Sequence, residues 1–152
     1  MLAKLARWLR LFGISVENPR YVEDDRLLKY SKRTGSILLT SDRALNARAR
    51  KLGVESLLIS DKQLDSQLRY VIKALKLKPK ASEKICPMCN SSLTKISKER
   101  ASKLVKKGIS IEYESFYYCR KCRKVYWQGS HWRDINTMLG KVANKNLISN
   151  VA

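Results

Sequence analysis

Cys86-Pro87-Met88-Cys89 and Cys119-Arg120-Lys121-Cys122 are two short hooks that contain every cysteine of the chain. Two residues between paired cysteines let a tight turn aim both sulfurs at one ion, and two such hooks supply the four thiolates of a tetrahedral zinc site. The spacing is that of a zinc ribbon, with the stretch between the hooks folded as a hairpin or arm. Two disulfides are the competing reading, but no secretory apolar region precedes the cysteines, and the chain is neither small nor cysteine-dense. Four sulfurs close the coordination shell, so the ion is expected to shape a surface and to do no chemistry. His131, the single histidine, follows the second hook and could replace a ligand, although four sulfurs already suffice. Without metal, this half is expected to lose its fold.

Ahead of the hooks, the chain reads as alternating helices and strands. In residues 2–12, LAKLARWLRLF, the residues Leu2, Leu5, Leu9 and Phe12 recur at helical spacing, with Lys4, Arg7 and Arg10 away from that stripe. Gly13 ends this amphipathic helix, and Ile14 to Val16 reads as a short strand before the turn Asn18-Pro19. A helix is expected over 24–32. The apolar run Ile37-Leu38-Leu39, closed by Thr40-Ser41-Asp42, has the form of a buried parallel strand. A helix over 43–51, a second buried strand at Leu57-Leu58-Ile59 and a helix over 62–75 follow. Such alternation predicts βαβ units, hence a small three-layer α/β domain with a short parallel sheet over 1–77. In such sheets the functional crevice lies outside the carboxyl ends of the strands, where Asp42 and Asp61 sit, with Asp24 and Asp25 opening another helix. Residues 78–84 are charged, contain Pro79 and lack apolar period, so they read as a linker. The zinc ribbon is expected over 85–132, with strands at 93–96, 109–118 and 123–127, and an arm over 99–107. A final helix and tail take up 133–152, with Ile135, Met138, Leu139 and Val142 at helical spacing.

Charge points at the partner. The 152 residues include 32 Lys and Arg against 13 Asp and Glu, a formal net charge of +19. Self-repulsion of that size is tolerated mainly by proteins that meet a polyanion, and both sides of the linker are basic, so the charge is no detachable tail. A lysine-rich ion-pair surface would carry matching glutamates, and these are missing. The longest apolar run is a few residues and no lipidation motif appears, so no membrane contact is expected and the chain reads as cytoplasmic.

The stretches LAKLARWLRLFG and LLTSDRAL, the CPMC and CRKC hooks and, above all, YWQGSHW at 126–132 resemble the Mut-seven C-terminal RNase family, over residues 1 to about 138. The resemblance implies a PIN-like nuclease domain followed by a zinc ribbon. It also implies metal-dependent ribonuclease activity, in which clustered aspartates hold magnesium or manganese to activate water and stabilise the leaving oxygen. The positions of this chain that match are Asp24 (or its neighbour Asp25), Asp42 and Asp61. Each also suits an ordinary structural role: Asp24 and Asp61 as helix caps, Asp42 at a helix start where it favours the dipole. Family members usually begin with a further strand carrying an aspartate ahead of the LAKLARWLR helix. Here Met1 lies directly on that helix, so the reading expects that wall of the metal site to be replaced by Lys4, Arg7 and Arg10, whose charge disfavours a divalent cation.

Two functions are therefore expected, in this order. The first is RNA binding on a PIN-like scaffold with catalysis lost or weak, on structured RNA such as ribosomal RNA or the ribosome. Its candidate residues are Lys103, Lys106, Lys107, Arg120, Lys121, Arg123 and Lys124, which would neutralise phosphates, and Tyr117, Trp127 and Trp132, which could stack on bases. Most such aromatics, taken one at a time, belong to a core instead. The second is an active magnesium- or manganese-dependent endoribonuclease using Asp24, Asp42 and Asp61. A protein partner at an exposed sheet edge is a further candidate.

Overall fold

The computed structural model describes residues 2–19, 23–105 and 113–143. Lys106 and Lys107 lie outside the described residues, as do the first four positions (109–112) of the expected strand at 109–118 and the tail beyond 143. Among the described residues there are six helices and five strands. The first half runs α1 (Ala3–Leu11), α2 (Asp24–Thr34), β1 (Leu38–Thr40), α3 (Arg43–Lys51), β2 (Ser56–Leu58) and α4 (Leu64–Ala74). The second runs β3 (Thr94–Ile96), α5 (Lys98–Leu104), β4 (Phe116–Cys119), β5 (Lys124–Trp127) and α6 (His131–Ala143).

β1 and β2 pair in parallel, with Leu38 beside Ser56, Leu39 beside Leu57 and Thr40 beside Leu58. Because successive side chains of a strand point to opposite faces, this two-stranded sheet separates two apolar layers. Leu38 joins Leu28 of α2, Leu45 and Ala49 of α3, and Val54 on one side. Leu39 and Leu57 pack on the other side against a core of Leu5, Leu9 and Phe12 from α1, Leu68, Val71 and Ile72 from α4, and Ile59. The expected three-layer α/β arrangement is present, with α2 and α3 on one face and α1 and α4 on the other. A buried hydrogen bond from the Ser56 hydroxyl to Asn46 Oδ1 (2.8 Å) stitches β2 to α3.

Three features depart from the local reading. Ile14 to Val16 is not a strand: Ile14 N–H donates back to Leu9 C=O at the end of α1, while Val16 N–H donates to Asn90 Oδ1 and Val16 C=O accepts from Arg10. Residues 78–84 are tied to the end of α1, with Lys80 N–H donating to Phe12 C=O and Ser82 N–H to Leu11 C=O. That approach is close: Gly13 ends α1 at φ +74°, and a Cβ there would sit 3.2 Å from Ser82 Cβ. Finally, α6 packs along α4, and its Ile135 and Val142 complete the core of the first half. A helix of this kind must bury its apolar stripe against something, and α4 presents the matching surface.

The second half is an antiparallel sheet in the order β3-β4-β5. One face, with Ile96, Phe116, Tyr118, Val125 and Trp127, is covered by α5 through Ala101. Tyr117 and Tyr126, paired across β4 and β5, face the other way, toward Leu11, Ile85, Trp132 and Ile135.

Candidate metal centre and its surroundings

The loops that end in Cys89 and Cys122 bring all four cysteine sulfurs within 4.8 Å of one another. Cys86 and Cys119 are fully buried. A zinc–sulfur bond of about 2.3 Å puts the corners of a tetrahedron about 3.8 Å apart. The Cys86–Cys122 separation of 3.9 Å and the Cys89–Cys119 separation of 3.5 Å bracket that edge. The donor set therefore fits zinc, with the four positions filled by protein.

Each hook turns in the same way. The residue following it, Asn90 after the first and Arg123 after the second, is left-handed, at φ 67° and φ 55°. In the first hook Asn90 N–H donates to Cys86 C=O (3.0 Å), and in the second Cys122 N–H donates to the Cys119 sulfur (3.3 Å). Asparagine tolerates this conformation with little penalty; arginine does so less readily.

Crowding divides the thiols before any metal binds. For Cys89, burial opposes ionisation, but hydrogen bonds from Ser91 outweigh it and bring the thiol to about 6. The hydrogen bond to Cys89 is the main influence that pushes Cys122 up to about 12, and burial raises Cys119. Tyr126 places its hydroxyl 3.3 Å from the Cys86 sulfur, and burial raises its pKa, so it stays a donor to a metal-bound thiolate.

The first hook is also the contact between the halves. Arg10 of α1 is 4% exposed. Its Nε and Nη2 donate to Val16 C=O at 2.8 and 2.6 Å, and its Nη1 donates to the hook carbonyls of Pro87 (3.1 Å) and Met88 (3.2 Å). Burial lowers its pKa, while Glu17, Cys89 and Cys86 work in the opposite direction. Asn90 answers from the hook: Oδ1 accepts from Val16 N–H (2.9 Å), and Nδ2 donates to Ser15 Oγ and Glu17 Oε1 (both 2.9 Å). Four thiolates and one divalent ion leave a charge of about −2, which the nearby guanidinium and amides offset. Sequence reading placed Arg10 off the apolar stripe and, with Lys4 and Arg7, in the wall of the expected metal site; its position beside the folded hook gives it other partners. It points into the junction with the ribbon and has no part in a wall around the aspartates.

At the other junction, the stretch Tyr126 to Trp132 carries the chain from β5 into α6. Gly129 N–H donates to Trp127 C=O and Trp132 N–H to Gly129 C=O. A Cβ on Gly129 would lie 3.1 Å from Trp127 Nε1, so the indole rests directly on the glycine backbone. Gln128 donates to Glu83, tying β5 to the segment between the halves. His131 is exposed at the start of α6 and is not one of the four ligands.

The aspartates occupy structural positions. Asp42 caps α3, its Oδ1 accepting from Ala44 N–H (2.7 Å) and Leu45 N–H (3.0 Å). Asp61 accepts from Gln63 N–H (2.8 Å) in the turn before α4, whose N-cap is Gln63. Asp24, in the first turn of α2, pairs with Arg48 at 3.5 Å, and Asp25 pairs with the same guanidinium. Among the described residues, the cysteines are the group of three or more Cys, His, Asp or Glu side chains placed to hold a metal ion; Asp24, Asp42 and Asp61 do not form one.

Of the RNA-facing candidates, Arg120, Lys121, Arg123 and Lys124 are exposed around the second hook, and Lys103 is exposed on α5. Tyr117, Trp127 and Trp132 are half-buried and take part in packing. Tyr118, on the opposite face from Tyr117, lies under the Arg100 guanidinium at 5.9 Å. Both faces of β4 are thus occupied, one by α5 and one by the first half.

A family model described as Mut7-C RNAse domain matches residues 1–139. No curated protein and no solved structure matches the chain. No helix among the described residues is long and apolar enough to cross a membrane.

Proposed function

Because the chain belongs to the Mut7-C RNase domain family, whose name puts RNA at the centre of its chemistry, we propose that it is an RNA-binding protein on a PIN-like scaffold, braced by a structural zinc ribbon, with catalysis lost or weak. The observation that carries this reading is the net charge of +19. Counterions released from RNA phosphates by exposed lysines and arginines drive such association. Structured RNA, ribosomal RNA included, is the favoured partner, since A-form helices are grasped through backbone and shape. The engagement of Asp24 by Arg48 and of Asp42 and Asp61 by backbone amides supports weak or absent catalysis.

The family match favours one second reading, an active endoribonuclease dependent on magnesium or manganese. Two measurements on the zinc-loaded protein separate the readings. Binding to a folded RNA, followed by fluorescence anisotropy, is expected to weaken steeply with salt. Incubation of single-stranded RNA with magnesium or manganese is expected to leave wild type and Asp42→Asn equally inert. Metal-dependent cleavage that vanishes in Asp42→Asn would establish the enzyme, and salt-independent or absent binding would overturn the RNA-binding reading. Co-sedimentation with ribosomal particles in low salt, reversed in high salt, tests the ribosomal assignment.

A further inference from the structure

The ribbon packs on α1 and the start of α6, so the layer on the far side of the parallel sheet, α2 and α3, keeps an outer surface of its own. Leu28, Leu45 and Ala49 hold these two helices side by side over Leu38 and Val54, and helices so packed lie about 8–10 Å apart. The acids of this layer are engaged and outnumbered: Glu23 pairs with Arg26, Asp24 and Asp25 share the single guanidinium of Arg48, and Asp42 caps α3. What remains is cationic. Lys29, Lys32 and Arg33 of α2 and Arg43, Arg50 and Lys51 of α3 are exposed, and none of the six has an ion-pair partner among the described residues.

Helix dipoles explain part of this, because Lys32, Arg33, Arg50 and Lys51 lie in last turns. They do not explain Lys29 or Arg43, nor the lack of any acid in α3. One ring accompanies the charge: Tyr30 is 41% exposed, with the Arg33 guanidinium 5.8 Å above it. A lone ring on a broad basic surface differs from the row of stacking aromatics that holds an unpaired strand. It matches a duplex held by its phosphates.

We propose that the outer face of α2 and α3 is a second RNA-contact surface, separate from the basic second hook, that seats the sugar-phosphate backbone of base-paired RNA. The proposal rests on the RNA-binding reading above.

The test uses the full-length, zinc-loaded protein and a fluorescein-labelled RNA hairpin of about 20 base pairs, longer than the span a compact duplex-binding module covers. One variant carries Lys29→Gln, Lys32→Gln, Arg43→Gln and Arg50→Gln; a second carries Arg120→Gln, Lys121→Gln and Lys124→Gln. All are exposed positions, and circular dichroism with zinc content verifies the fold. The first variant is expected to bind at least about tenfold more weakly and to lower the magnitude of the log Kd against log salt slope by about two to four, in addition to the loss in the second. If wild type binds the hairpin and the first variant matches it in affinity and slope, the RNA-binding reading stands and this surface is rejected. If wild type ignores the hairpin, both fall. An equal loss measured on a single-stranded RNA of the same length overturns the assignment to base-paired RNA.

Discussion

Replacing Arg10 by methionine removes the charged fork that joins α1 to the first cysteine hook while keeping most of the buried length. Three carbonyls lose their donor: Val16, Pro87 and Met88. A net hydrogen bond is worth about 1 kcal/mol, and more with a charged donor, so the loss is about 3–5 kcal/mol. Burying a guanidinium is unfavourable, and methionine relieves that, which brings the expected destabilisation to about 3 kcal/mol. For a chain of this size that corresponds to a fall in Tm of roughly 6–12 °C. The hook carbonyls also orient the cysteine loop, so zinc affinity measured against a competing chelator should drop by about tenfold or more. Arg10→Lys should recover less than half of either quantity, because an ammonium cannot reach Val16 and both hook carbonyls in the geometry of the fork. Calorimetry and a zinc competition titration read both effects. A methionine variant that melts within a degree or two of wild type and keeps its zinc affinity would refute the account of the junction.

Zinc loading at pH 7 should release protons from Cys119 and Cys122, whose pKa values are raised, and affinity should rise with pH and fall further below about pH 6, where Cys89 also becomes protonated; release of less than one proton per ion in weak buffer would contradict the raised values of these two thiols. Chelation should unfold the antiparallel sheet, seen as lost strand signal in circular dichroism, and an unchanged spectrum would show that the sheet stands without metal. Gly129→Ala forces the Trp127 indole to move and should cost about 1–2 kcal/mol with a shifted tryptophan emission; a neutral substitution would mean that the ring has room. Asp42→Ala should lose about 1 kcal/mol from the α3 cap, whereas Asp42→Asn should lose a few tenths. Urea unfolding of the two variants distinguishes a capping role from none.

What could be read locally was read well. The hooks declare a four-sulfur site because the spacing of two residues is itself the geometry of a ligand turn, and the helix expected over 43–51 is found with those bounds, while the one expected over 24–32 runs on to Thr34. The apolar runs at 37–39 and 57–59 announced a parallel pair because the sheet is covered on both faces. The duplicity of Asp42 was also legible, since a capping residue and a metal ligand share the same chemistry at a helix start.

Other features depended on partners far away in sequence. Ile14 to Val16 has the composition of a strand, but the peptide groups of Val16 went to Arg10 and Asn90, and the Asn90 partner lies far off in sequence where no local pattern can foresee it. Arg10 is off the apolar stripe and became buried because the carbonyls of a distant hook compensate its charge. The stripe of α6 foretold that it would be covered but not that α4 would cover it. Sequence alone determined most of the helices, the parallel strand pair and the four-cysteine set, since these rest on short-range dihedral preference and fixed spacing. Tertiary structure decided which elements share a core, where the buried cation sits and which basic faces stay open, because those outcomes depend on which surfaces meet when polar groups far apart in the chain satisfy one another.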